Sequence, residues 1–227
     1  TIYFEYSRKF IERKLEISPL RLPLKPGVSS FDNYLFEGLP GVFNDSLPDG
    51  WGRLLFDRLA RAQGILPSEF TALDRLAHIG THGMGALVFE PDQSADELHA
   101  LISLDNLAEQ AQDVLDGTSD DVLQELLSLN GSSAGAKPKA LIATDQERKY
   151  IIHGASDLPA RYTPWLVKFA NSQDGLDAGA IEYVYALMAI EAGINMPDVH
   201  LFSAQKGAGY FAIKRFDIDG DKRYHMH

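Results

Sequence analysis

Hydrophobic positions along this chain keep a helical period in some stretches and alternate or cluster as strands in others. Thr1 to Phe4 alternates around aromatic residues and predicts a strand. From Pro19 to Pro48 the chain is rich in Pro, Gly, Ser and Asn, which reads as extended loop with short turns. Trp51, Leu54, Leu55, Leu59 and Ala62, with the stem of Arg58, then recur at helical spacing, and Gly64 is a suitable stop. A shorter helix is predicted over Thr71 to His78 with Thr71 as its cap, and GTHGMGALVFEP returns as a strand ending at Pro91. Residues 94–129 read as helical: Leu104, Leu107, Ala108, Ala111, Val114 and Leu115 share a face between Ser103 and Gly117. DDVLQELLSLNG makes another helix ending at Asn130 and Gly131.

Beyond Gly131 the rhythm changes. A small-residue loop, GSSAGAKPK, leads into an apolar strand from Ala140 to Thr144, with QERKYIIHGAS as its hairpin partner. PWLVKFA is another strand, IEYVYALMAIEAG a helix whose apolar face is Ile181, Val184, Tyr185, Leu187 and Met188, and NMPDVHLFSA and GAGYFAIKRFDIDG are two antiparallel strands. The predicted fold class is α+β, with parts at 1–92 and 131–227 and a helical connection over 93–130.

Composition narrows the chemistry. With 227 residues, 45% of them hydrophobic and 23% charged, the chain can bury a sizeable core, and its length fits two domains. There is no Cys, so disulfide, thiolate–metal and cysteine-nucleophile chemistry is excluded, which suits a reducing cytoplasm. No apolar run is long enough for a membrane helix, and the N-terminus has no signal-peptide pattern. A net charge of −11 opposes direct binding to nucleic acid. The chain lacks an initiator Met and closes soon after its last strand, from which we expect a piece of a longer protein.

The candidate chemistry lies in the second part. Small residues from Ala134 to Ala136 let backbone amides approach phosphate oxygens, although a plain hairpin turn accounts for the same composition. The glycine spacing, and Lys137 followed by Pro138, do not match a Walker A loop. Lys168 stands in an otherwise apolar strand, and Glu182 follows fourteen residues later in the first turn of the next helix. Either Lys168 is an exposed edge residue, or the two form an ion pair that aims the ammonium at phosphates. Lys214, Arg215 and Phe216 end the last long strand. Asp217, Asp219 and Asp221 after them read as a solvated turn, and His225 and His227 as surface residues, so no metal site is assigned. Loop, strand, strand with Lys, helix with Glu, strand, strand and polar exit is the order of a protein-kinase small lobe.

In these motifs the chain resembles the HipA-like serine/threonine kinases, the toxins of bacterial toxin–antitoxin modules. FNDSLPDGWGRLLFDRLAR and IGTHGMGALVFEP are similar to that family's N-terminal subdomain. SSAGAKPKALI is similar to its phosphate loop, WLVKFA to its lysine strand, EYVYALMAIEAGINMPDVHLF to its small-lobe helix and next strand, and FAIKRFD to its hinge. The resemblance implies that Ala134, Gly135, Ala136, Lys137, Pro138, Lys139 and Lys168 face the phosphates of ATP, with Glu182 aiming Lys168. It places Lys214, Arg215 and Phe216 on the adenine side, and a self-phosphorylation site at Ser132, with Ser133 the adjacent candidate. It further implies magnesium, a Ser/Thr-bearing protein substrate such as an aminoacyl-tRNA synthetase, and a HipB-like DNA-binding antitoxin. The catalytic Asp and magnesium ligands are expected in a large lobe after the hinge, so this stretch alone is expected to be inactive. A non-catalytic module with a small-lobe shape that binds an antitoxin-like partner is the alternative.

Overall fold

The computed structural model describes residues 1–32, 34–93, 101–154, 158–220 and 222–226. Its first part begins with β1 (Ile2–Phe4), α1 (Arg8–Glu12) and β2 (Ser29–Phe31); the two strands pair antiparallel, with Tyr3 opposite Ser30. α2 (Gly41–Asn44) follows, so the expected irregular stretch from Pro19 to Pro48 carries a strand and a helical turn. Elements of three to five residues are too short to leave a periodic signal.

α3 (Gly50–Ala62) and α4 (Ala72–Ile79) form where the apolar spacing predicts them. A reciprocal cap closes α4: Thr71 Oγ1 accepts the Asp74 N–H at 3.2 Å, and the Asp74 carboxylate accepts the Thr71 N–H at 2.8 Å. The strand expected over GTHGMGALVFEP is absent. Its amides bond singly rather than in a ladder: Phe89 N–H closes back on Gly80 O within the run at 3.0 Å, while Met84 N–H reaches Ser132 and Gly85 N–H reaches Asp217.

α5 (Leu104–Asp116) starts at Ser103, whose hydroxyl accepts the Asn106 N–H, and ends at a left-handed Gly117 with φ 75°. α6 (Leu123–Asn130) follows; the helical reading over 94–100 falls outside the described residues.

The second part is one antiparallel sheet of β3 (Lys139–Thr144), β4 (Ile151–His153), β5 (Thr163–Lys168), β6 (Val199–Phe202) and β7 (Tyr210–Lys214) in the order β4-β3-β5-β7-β6. α7 (Ala178–Glu191) connects β5 to β6, and a short hairpin of β8 (Ile218–Asp219) and β9 (Lys222–Arg223) follows β7.

Strand alternation gives this sheet two unlike faces. Ala140, Ile142, Trp165, Val167, Phe202 and Ala212 point one way and join Trp51 and Leu55 of α3, Leu107 and Val114 of α5 and Leu123 and Leu126 of α6 in a single core. The helical connection is therefore the layer through which the first part grips the sheet. Each such fully buried aliphatic side chain contributes about 1.5–3 kcal/mol. The other face carries Lys139, Leu141, Leu166, Lys168, Phe211 and Ile213, in register across β3, β5 and β7.

α7 differs from expectation. Ile181, Val184, Tyr185, Leu187 and Met188 are exposed, and Ala186 is its buried residue. The helix is apolar nearly all round, so spacing alone could not say which side meets β6 and β7.

Candidate functional site

Lys139 and Lys168 stand opposite each other in the β3–β5 ladder, at the end where the small-residue loop enters the sheet. β5 is the middle strand, so Lys168 is not an edge residue. An ammonium there needs a partner, and Glu182 Oε1 forms an ion pair with Lys168 Nζ. Because α7 begins at Ala178, Glu182 lies in its second turn rather than its first. Both side chains remain about one-third exposed, at 34% and 37%, so the pair is held but open to a ligand. Lys168 Nζ also lies 5.5 Å from the centre of the Phe211 ring.

Lys139 is far more enclosed, at 5% exposure, and its Nζ donates to Gly135 O at 2.8 Å. Burial pushes its ammonium down to about 8, with Asp49 opposing the shift and Lys168 adding to it. In the loop, Ala134, Gly135, Ala136 and Lys137 are exposed and Pro138 is buried. Lys137 pairs with Asp174 at 3.0 Å. The Asn171 amide and then Lys137 hold the Asp174 carboxyl below its ordinary range.

Both backbone polar groups of Gly135 are occupied. Its N–H donates to Asp49 Oδ1 at 2.8 Å, and its carbonyl accepts the Trp51 N–H at 3.0 Å as well as Lys139. The Gly135 amide therefore already has an acceptor. Pro138 has no N–H to offer, and its carbonyl accepts the Phe169 N–H at 2.9 Å. Ser132 and Ser133 are both buried. Ser132 Oγ accepts the Met84 N–H at 2.9 Å, and Ser133 Oγ donates to Asn130 O at 2.8 Å, so modifying either hydroxyl requires this segment to leave its seat.

The hinge end is built differently. The Lys214 N–H donates to Asp198 O at 2.8 Å and the Arg215 N–H to Pro164 O at 3.0 Å, so neither is open to a base. The Lys214 side chain lies on the sheet face opposite Lys168, since Lys214 pairs with Trp165 while Phe211 pairs with Lys168. The Arg215 side chain is fully buried. It bonds Asp217 through Nε at 3.0 Å and Nη2 at 2.7 Å, and Gly154 O through Nη1 at 2.8 Å. Asp217 also accepts the Gly85 N–H at 2.8 Å. Burial pushes the Asp217 carboxyl up, but Arg215 and the Gly85 amide together outweigh it and leave the group below its ordinary range. Arg215 is thus a structural residue, and Asp217 is no part of a solvated turn; Asp221 lies outside the described residues. Of the three hinge residues, Arg215 alone is enclosed; Phe216 is half exposed and the Lys214 side chain is partly exposed on the other face.

Matches to known families follow this geometry. A HipA N-terminal domain matches residues 1–90, and a HipA-like C-terminal domain matches residues 131–227. The chain belongs to the HipA-like family. No curated protein matches it.

In this HipA-like chain three of the hydrogen bonds between the two matched segments place a first-part residue against the candidate site: Asp49 on Gly135, Met84 on Ser132 and Gly85 on Asp217. Sequence reasoning missed all three. Asp49 before Gly50 and Trp51 reads as an ordinary helix cap, and an amide donor such as that of Met84 or Gly85 leaves no mark in the sequence. A cleft of about 770 Å³, lined by Arg161, Thr163, Lys214, Ile218 and Arg223, opens at the far end of β5 from Lys168 and is separate from the lysine pair. Among the described residues, no group of three or more His, Asp or Glu is placed to hold a metal ion, and no helix is long and apolar enough to cross a membrane.

Proposed function

We propose that this chain forms the nucleotide-facing half of a HipA-like serine/threonine kinase acting within a toxin–antitoxin pair. The observation that carries the reading is the Lys168–Glu182 pair, a central-strand ammonium held by a helix carboxylate at the mouth of a small-residue loop. A triphosphate fits this end of the sheet: Lys139 and Lys168 supply positive charge from adjacent strands, and Ala134 to Ala136 put no bulky side chain in the way. ATP, when bound, supplies the transferable phosphoryl group. Lys168 would hold its phosphates, Glu182 would keep Lys168 aimed, and Phe216 would give the base an apolar contact.

The boundaries we propose are 1–92 for the N-terminal subdomain, 93–130 for the helical connection and 131–227 for the small lobe. The hydroxyl-activating Asp and the magnesium ligands would come from a lobe after the hinge. The acceptor would be a Ser or Thr of a protein such as an aminoacyl-tRNA synthetase, the partner a HipB-like DNA-binding antitoxin, and the setting cytoplasmic, with Ser132 the self-phosphorylation site.

Titrating ATP into the chain and into its Glu182→Gln variant tests the reading. Binding should weaken in the variant while the fold persists; equal affinity would separate the pair from nucleotide. The second reading, a non-catalytic module for an antitoxin-like partner, is favoured by one observation: the Gly135 amide already has an acceptor. On that reading neither protein binds ATP.

A further inference from the structure

Asp49 stands at the N-cap of α3 with the extended backbone of a capping residue, φ −120° and ψ 175°, yet its side chain caps nothing. An N-cap Asp ordinarily accepts an amide of its own helix's first turn. Here Oδ1 instead accepts the Gly135 N–H at 2.8 Å, eighty-six residues along the chain. The fit around that bond is tight. Gly50 has φ 42°, and a Cβ there would come within 2.5 Å of Gly135 O and 2.8 Å of Ala136 N. The helix start and the loop therefore meet backbone to backbone, leaving no space for a phosphate oxygen between Asp49 and Gly135. The Gly135 carbonyl, in the following peptide unit, is turned onto the Trp51 N–H and Lys139 Nζ, which ties the loop to α3 and β3 on that side as well. Asp49 also favours the charged form of Lys139, so its carboxylate acts within the field that would draw an anion to this end.

We propose that Asp49 is an affinity-setting residue of the phosphate end. Its carboxylate holds the Gly135 N–H in the place a phosphate oxygen would take, so that Asp49 and the nucleotide compete for one donor. The inference rests on the nucleotide reading above and deepens it: the N-terminal subdomain sets how readily the loop accepts phosphate, and the ligand must displace a carboxylate to complete its contacts. The Lys168–Glu182 pair is untouched by this exchange. A purely structural Asp49 gives the opposite sign, since loosening the loop would then weaken binding.

The test is calorimetric titration of ATP into the full chain, Asp49→Asn, Asp49→Ala and Lys168→Ala, with thermal melts confirming that each folds. Asp49→Asn keeps an acceptor oxygen without the charge and carries the test if Asp49→Ala does not fold. We expect ATP to bind at least about fivefold more tightly to the Asp49 variants, the lower end of coupling between linked sites, and Lys168→Ala to lose binding. Lys168-dependent binding that appears only once Asp49 is replaced supports the same competition. Equal or weaker binding in the Asp49 variants, with wild-type binding still dependent on Lys168, overturns the competition and leaves the nucleotide reading standing. No binding in any of the four proteins overturns both.

Discussion

The β5–β7 strand pair has an ion pair near each end, and the two could hardly be more different. At the loop end, Lys168 and Glu182 come from separate elements and remain about one-third exposed, at 34% and 37%. At the hinge end, Arg215 and Asp217 are two residues apart and wholly enclosed, with Gly154 O and the Gly85 amide completing their bonds. A buried pair whose donors and acceptors are satisfied from three segments is a joint, since removing one partner strands a charge without water. A half-open pair is only loosely committed, and its ammonium can turn to a ligand at little cost. The same kind of charge pairing therefore fastens the hinge and equips the loop.

The largest effect should come from breaking the joint. Asp217→Ala is expected to lose about 3–5 kcal/mol of stability, the cost of orphaning a buried charge, measured by denaturant unfolding. A loss below about 1 kcal/mol, the range of exposed pairs, would remove the distinction between the two ends.

Acid should act on the same region next. Burial first, then His82 and Arg215, pushes the His153 imidazole down to about 4. Its folded value lies below the unfolded one of 6.5, so its contribution is complete above pH 6.5 and is lost as pH falls toward 4. The loss is on the order of 2–3 kcal/mol. Stability measured against pH should fall across that window, and His153→Gln should flatten it; an unchanged slope would contradict the assignment.

Lys139 offers a smaller effect of the same sign in a more alkaline window. Its folded value of about 8 lies below the unfolded 10.5, so the unfolded chain holds the proton more tightly and this group adds stability as pH rises from 8 to 10.5. Lys139→Met should therefore stabilise the chain at neutral pH by about 1 kcal/mol, as when a buried charge gives way to an apolar group of similar volume, while ATP affinity falls. A lower melting temperature would show that the Lys139 bond to Gly135 matters more than its burial. Smallest is Glu182→Gln, which should change stability by about 1 kcal/mol or less. A larger loss would make this pair a second joint.

Where the sequence was legible, a repeating physical constraint wrote it. α3, α5 and the strands carrying Ile142, Val167 and Ala212 follow from apolar spacing because one face of each enters a common core. Lys168 was legible because a charge in an apolar strand stands out. Three features were not. The α7 face was hidden by a helix apolar on all sides, of which Ala186 is the buried part. The GTHGMGALVFEP run looked like a strand because its apolar residues are real, but Met84 packs with Leu141 and its amide reaches Ser132. Asp217 looked solvated because an Asp run after a strand usually is, whereas here Arg215 and the distant Gly85 enclose it. In each case the missing information is a long-range partner that local pattern does not encode.

The central claim is that Lys168, aimed by Glu182, makes this end of the sheet a nucleotide site. Its most direct test is calorimetric titration of ATP into the chain and into Lys168→Ala. The account predicts measurable binding to the wild type and, with one charge-assisted contact removed, at least about tenfold weaker binding in the variant. Equal affinity in two folded proteins, or no binding to either with none gained on replacing Asp49, would contradict it.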